Sequence, residues 1–278
     1  MGELFKGRNQ PKKEVALATT AARITEVGNL IFPSQEKIYA QLRHVLGVFK
    51  ESEAGIRPHF NLTGESGSGK SFLVKMVAEE FKMPFIEVNA AGLTAEGLSG
   101  NSLSKALTKL REHWNEPNVI FVDEFDKIFQ RNGETTEGFR VNVQDEFLTA
   151  LEGKYVSVFA EYGKYPQVVV ENSLFIFAGA WSNQKILTLS ELKDAGMRTE
   201  FVGRVPLVFH TEQVTLAELE AAIPSIDLFM KYRKLYPRTK QNTDVAGIIK
   251  ILKAQSEEMN IGIRLLNSAI HQYYMKDV

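Results

Sequence analysis

The strongest chemical signal in the chain is Gly64-Glu65-Ser66-Gly67-Ser68-Gly69-Lys70-Ser71. It fits the spacing G-x-x-x-x-G-K-[ST]. Glycines let a backbone curl until successive N–H groups point inward, and that concavity holds an anion. A helix starting at the end of the loop adds the positive end of its dipole. Lys70 is then placed to reach β- and γ-phosphates, and the Ser71 hydroxyl to ligate Mg²⁺. All eight residues are therefore expected to cradle a nucleotide phosphate chain.

The second signal is Asp123-Glu124, which follows the apolar run Asn118-Val119-Ile120-Phe121-Val122. A run without polar alternation suits a strand buried on both faces of a parallel sheet. In such sheets reactive groups collect at the carboxyl ends of strands. Asp123 is expected to support Mg²⁺, directly or through its water. Glu124 is expected to orient the attacking water and take its proton.

The elements that must carry these groups follow from periodicity. Residues 35–50 repeat apolar side chains at helical spacing (Ile38, Leu42, Val45, Leu46, Phe49). Residues 59–63 and 84–88 read as short strands, with a helix over 71–81 between them. Leu103, Ala106, Leu107, Leu110 and Trp114 mark a further helix face, and 141–151 another. Residues 174–178 and 205–209 complete the strands. Alternating strands and helices predict an α/β domain with a mostly parallel sheet over 24–210. Beyond that the pattern is purely helical, which predicts a small all-α lid domain over 211–278. Residues 1–23, polar and basic with Lys6, Arg8, Lys12 and Lys13, read as a flexible arm.

Composition narrows the classes. The 278 residues are 44% hydrophobic and 24% charged, enough to build a core. The net charge of -1 gives no general cationic face for nucleic acid. With no cysteine, thiolate metal sites, disulfides and thiol nucleophiles are excluded. The five histidines (His44, His59, His113, His210, His271) are never three or four apart, which speaks against a His-based metal site. No apolar run has the length of a membrane helix, and the N-terminus has no apolar stretch of a secretory signal. A cytoplasmic protein with no membrane partner is expected.

The two motifs resemble those of the AAA+ ATPases, and the fuller match is to unfoldases of the ClpX/HslU type. Val122-Asp123-Glu124-Phe125-Asp126-Lys127-Ile128 is similar to that family's extended hydrolysis motif. Glu200-Phe201-Val202-Gly203-Arg204-Val205-Pro206 resembles its E-F-x-G-R-x-P box, and Gly262-Ile263-Arg264 its G-x-R motif. The motifs occur in the family's order, and the resemblance covers residues 25 to 275. It implies ATP as the nucleotide, Mg²⁺ as its ion, and hydrolysis to ADP and phosphate. Arg204 is implied to be an arginine finger acting in trans on a neighbour's γ-phosphate. Arg264 is implied to be the second sensor, reading nucleotide from the lid of the same chain. A finger in trans implies a homo-oligomeric ring, a hexamer in this family, acting on a protein substrate or adaptor.

The chain also departs from the family. Where those unfoldases carry an aromatic pore loop, this sequence has Gly97-Leu98-Ser99-Gly100, so Leu98 would grip without a ring. Residues 151–168 hold Tyr155, Phe159, Tyr162 and Tyr165 with Lys154 and Lys164. These suit a second gripping loop, stacking on single-stranded nucleic acid, or an ordinary hairpin. No zinc-binding N-domain is expected without cysteine. The insertion with an I-G-F tip that docks ClpP is missing between Ala180 and the finger box, so no ClpP docking is expected. Ser182 and Asn183 are the polar residues nearest a first-sensor position, and neither is assigned. The favoured reading is an ATPase that remodels or translocates a protein. The alternatives are a nucleic-acid ATPase (loader, replication or transposition regulator, mobile-element motor) and a slow nucleotide-gated scaffold.

Overall fold

The computed structural model describes residues 22–24, 30–93, 102–129, 137–237, 241–256 and 262–276. The α/β part runs β1 (Arg23–Ile24), β2 (Leu30–Ile31), α1 (Glu36–Glu51), β3 (Phe60–Thr63), α2 (Lys70–Glu80), β4 (Phe85–Asn89), α3 (Leu103–Ala106), α4 (Leu110–His113) and β5 (Asn118–Asp123). It continues with α5 (Glu137–Glu152), β6 (Tyr155–Ser157), β7 (Gln167–Val169), β8 (Ser173–Gly179), α6 (Leu189–Asp194), α7 (Thr199–Arg204) and β9 (Leu207–His210). Four helices then close the described chain: α8 (Leu216–Ala222), α9 (Asp227–Leu235), α10 (Gln241–Ser256) and α11 (Gly262–Met275).

Among the described residues the main sheet has the order β4-β5-β8-β3-β9. Every pairing in it is parallel. The α/β class read from the sequence is the fold observed. The register sets Thr63 against Gly179 and Val122 against Phe177. The ends of β3 and β5 therefore open on the same edge, with the end of β8 between them.

The sheet is sealed on both faces by alternation along its strands. Val119, Phe121, Leu174, Ile176 and Ala178 pack into a core with α1 and α2. Ile120, Val122, Phe175 and Phe177 pack into a second core that includes Phe147 of α5 and Phe201 of α7. This explains the unbroken apolar runs at 119–122 and 174–178. The helical part has its own core, built on Leu219, Phe229, Ile248, Leu252 and Leu266. Phe32 belongs to that third core, whereas its neighbour Ile31 belongs to the first. The segment before α1 is thus shared between the two parts, which helical periodicity gave no reason to expect.

Two further features differ from the sequence reading. The helix expected over 103–114 is two short helices, α3 and α4. The Thr108 hydroxyl donates to the Lys105 carbonyl at 2.6 Å, a local bond that competes with the helical ladder. Leu103, Leu107 and Leu110 are still buried, but Trp114 is 46% exposed. Thr199–Arg204, for which no element was expected, forms α7, and the strand expected over 205–209 is β9 at Leu207–His210.

His59 is buried where α1 hands over to β3, and its Nδ1 accepts the Phe175 N–H at 3.1 Å. Burial, and secondarily the Arg57 charge, lowers its pKa to about 4. The unfolded chain, titrating near the ordinary value, takes this proton first. The stabilisation is therefore complete above the ordinary histidine range and is lost as pH falls towards 4. Between pH 7 and 5 the wild type should lose about 2 kcal/mol more than His59→Gln in paired denaturant titrations. Parallel curves would show that His59 does not titrate on unfolding.

Candidate active site

The loop after β3 is built around one ammonium group. Lys70 opens α2 and is only 9% exposed. Its Nζ donates to the Gly64 carbonyl at 2.7 Å and the Glu65 carbonyl at 2.8 Å. Burial lowers its pKa, the Asp123 and Asp126 carboxylates push it back up, and Arg264 lowers it again. Gly69 caps the helix at φ +90, a left-handed conformation, and a Cβ there would stand 2.8 Å from Gln35 Nε2.

Side chains far away in sequence hold the loop from outside. Ser68 is fully buried, and its Oγ pairs with Thr211 Oγ1 at 2.6 Å. Thr211 Oγ1 in turn donates to the Thr63 carbonyl at 3.0 Å. Gln35 Nε2 donates to the Ser68 carbonyl at 3.1 Å. Neither Gln35 nor Thr211 was singled out in the sequence, and no local signal marks them: their partners are 33 and 143 residues away.

A cleft of about 430 Å³ lies against this loop. Ser66, Gly67, Gly69, Lys70 and Ser71 line one wall, and Asp123 and Glu124 another. Glu124 has a positive φ of 54 and donates its N–H to Asp123 Oδ1 at 2.9 Å. The cleft is completed from the helical part by Ile263 and Arg264 of α11. Gly262, opening that helix, packs so closely on the loop that a Cβ would overlap the Gly67 carbonyl. Gly64 and Glu65 contribute through the carbonyls that hold Lys70.

The donor set suits a magnesium nucleotide. An inward-facing loop, a buried ammonium and an arginine offer complementary charge to phosphates. Ser71 and Asp123 could hold Mg²⁺ with one oxygen each, leaving the rest of the octahedron to water and phosphate, as this ion prefers. Among the described residues no group of three or more His, Cys, Asp or Glu gathers into a protein-only metal cage. Next to the loop, an apolar cavity of about 450 Å³ is lined by Leu30, Phe32, Phe72, Ile226, Leu228 and Ile263. Sequence reading missed it because its walls come from four separate segments.

Two predicted sets lie elsewhere. Arg204, 57% exposed, pairs with Glu152 at 2.8 Å and does not line its own chain's cleft. Its helix is anchored through Phe201, whose ring stands 4.9 Å from Phe177 and 5.1 Å from Phe125. Gly97, Leu98, Ser99 and Gly100 lie outside the described residues, as do Lys6, Arg8, Lys12 and Lys13. Tyr155 and Tyr165 are half exposed on the β6–β7 hairpin, and Tyr162 at its tip is 94% exposed.

Comparison with known proteins agrees with this geometry. Residues 60–192 match the family described as ATPase family associated with various cellular activities (AAA). The segment runs from the first residue of β3 into α6 and so contains both the phosphate loop and Asp123-Glu124. Residues 60–192 are an AAA domain, and the chain as a whole is ClpX-like. Borrelia duttonii ClpX, the ATP-binding subunit of an ATP-dependent Clp protease, is 27% identical over 86% of this chain and 68% of its own length. Bacteroides thetaiotaomicron ClpX is 25% identical over 77% of this chain and 63% of its own length. The Treponema denticola protein is 28% identical over 69% and 49%. The chain thus spans between half and about two thirds of these relatives.

The loop's dependence on Thr211 is directly testable. Thr211→Val keeps the shape but strands the Ser68 hydroxyl, a cost of about 1–3 kcal/mol. Titration with a fluorescent ATP analogue should show affinity weakened roughly tenfold. Unchanged affinity would mean that the loop holds its form without that bond.

Proposed function

We propose that this AAA+ ATPase is a ring-forming motor that couples ATP binding and hydrolysis to remodelling or translocating a protein partner in the cytoplasm. The observation that carries the reading is the composition of the cleft. Phosphate loop, Asp123-Glu124 and Arg264 face one space, and Arg264 comes from the helical part. A ligand held by both parts biases their relative position, which is how binding can become movement. We take residues 211–278 as the moving lid. The buried Glu218 ties it to the α/β part by accepting the Ser34 N–H at 2.7 Å.

In this reading Lys70 and the loop amides hold the triphosphate, and Ser71 and Asp123 support Mg²⁺. The ion supplies charge neutralisation on the phosphates. Glu124 orients the attacking water and accepts its proton. Arg264 senses nucleotide from the lid. Arg204, exposed and away from its own cleft, serves the neighbouring subunit's γ-phosphate, which favours a homo-oligomeric ring, a hexamer by family analogy. Leu98 and the hairpin aromatics would contact the substrate. Ala180 is joined to α7 through a short turn and α6, with no long insertion, which supports action without ClpP. Among the described residues no helix is long and apolar enough to cross a membrane.

One observation favours a second reading. Tyr155, Tyr162 and Tyr165 stand on the hairpin with Lys154 and Lys164, and exposed aromatics among cations also stack on single-stranded nucleic acid. Glu124→Gln should bind ATP without turnover, and purified from its cells with ATP and Mg²⁺ it should retain polypeptide. Nuclease-sensitive material in its place would favour the second reading, and an empty ring the slow scaffold.

The trans role has its own test. Arg204→Ala alone should lower turnover by about 10³-fold or more, and Lys70→Ala alone should abolish it. Mixing the two co-assembled proteins should restore part of the activity, because some interfaces then carry an intact loop and an intact finger. No recovery in mixed rings would contradict the assignment.

A further inference from the structure

Asp126 has no part in the roles above, yet its side chain is placed with unusual constraint. It sits two residues beyond Glu124 in the tight turn Phe125–Phe129 and is 3% exposed. Oδ1 accepts the Ala180 N–H at 3.2 Å, and Oδ2 accepts the Trp181 N–H at 3.1 Å. Those amides begin the turn that leaves β8. In it Trp181, Ser182 and Asn183 have φ values of 49, 56 and 59.

Three successive side-chain-bearing residues in the left-handed region are unfavourable. Such a conformation persists only where its surroundings over-determine it. Here both clamps come from the turn after β5. One is the Asp126 carboxylate, and the other is Phe129, whose ring stacks on Trp181 at 5.3 Å. Gly179 leaves room for the contact: a Cβ there would stand 2.8 Å from Asp126 Oδ1 and 2.9 Å from Trp181 Nε1.

The position of this clamp matters because β8 runs between β3 and β5. Ala180 and Asp126 both line the cleft, whereas Ser182 and Asn183 do not. The wall between the phosphate loop and Glu124 is therefore formed without a polar side chain from the end of β8. Glu124 is itself left-handed, so two constrained turns meet at this point.

We propose that Asp126 is a positioning residue for hydrolysis. It locks the end of β8 to the turn that carries Glu124 and so fixes that carboxylate relative to the phosphate loop. The proposal rests on hydrolysis at Glu124 and goes beyond it, because it assigns the wall of the site to a carboxylate–backbone clamp.

The test uses the whole chain in a Trp114→Phe background. The sequence holds two tryptophans, so Trp181 then reports alone. Asp126→Asn removes the charge and one acceptor, and Gly179→Ala crowds the same contact while leaving the charge. Both should lower ATP turnover by at least about tenfold, with nucleotide affinity within about threefold. Both should also shift Trp181 emission to the red. Turnover within about twofold of the parent would overturn the proposal, as would affinity and turnover falling together. Unchanged Trp181 emission in Asp126→Asn would overturn it even in a preparation that hydrolyses nothing. If instead the parent turns over ATP and Glu124→Gln does so equally well, the underlying assignment of Glu124 is what fails.

Discussion

The candidate nucleotide site depends on keeping one ammonium group buried. An unpartnered charge in the interior is costly, so the loop must give Lys70 acceptors before any ligand arrives. It does so with the Gly64 and Glu65 carbonyls. Those acceptors exist only while the loop stays curled. The curl in turn relies on the Ser68–Thr211 bond and on Gln35. Thr211 follows β9 at the start of the lid segment and Gln35 precedes α1, so residues on either side of the α/β strands and helices shape a few loop residues. A phosphate entering the cleft would offer Lys70 an anionic partner in place of neutral carbonyls, a stronger interaction of the same kind.

The sheet supplies the second layer of this arrangement. Because β8 lies between β3 and β5, loop and acids face each other across one strand. Alternate residues of β5 and β8 feed two separate cores, so the ends of these strands are held from both sides. Phe125, just past Glu124, stands 4.6 Å from Phe177 and 5.1 Å from Phe201. The same aromatic cluster thus anchors the turn after β5, the central strand and the helix carrying Arg204.

Much of this was legible in the sequence because it is encoded locally. The Gly-rich octapeptide, the apolar strand ending in two acids and the alternation of strand and helix each lie within a few consecutive residues. The motif order singled out Arg204 and Arg264; Arg264 lines the cleft, whereas Arg204 is an exposed arginine paired with Glu152. What stayed hidden is encoded by contacts between distant segments. Thr211 looks like any threonine at a strand end until it is seen on Ser68. Phe32 looks like any apolar residue ahead of a helix until it joins the core of Phe229 and Leu266. Between α3 and α4 the backbone tightens to bonds three residues back at Thr108, Leu110 and Arg111, which no residue announces, and the left-handed run at 181–183 has no glycine to announce it.

The central claim is that the phosphate loop and the helical part form one nucleotide site. Gly262 tests it directly, since its missing side chain is what lets α11 rest against the Gly67 carbonyl. The measurement is the Mg-ATP affinity of Gly262→Ala against wild type by calorimetry, with thermal stability recorded alongside. A shared site predicts at least about tenfold weaker binding, while the AAA domain keeps its melting transition. Equal affinity in a folded variant would contradict it and leave the loop binding nucleotide without the helical part.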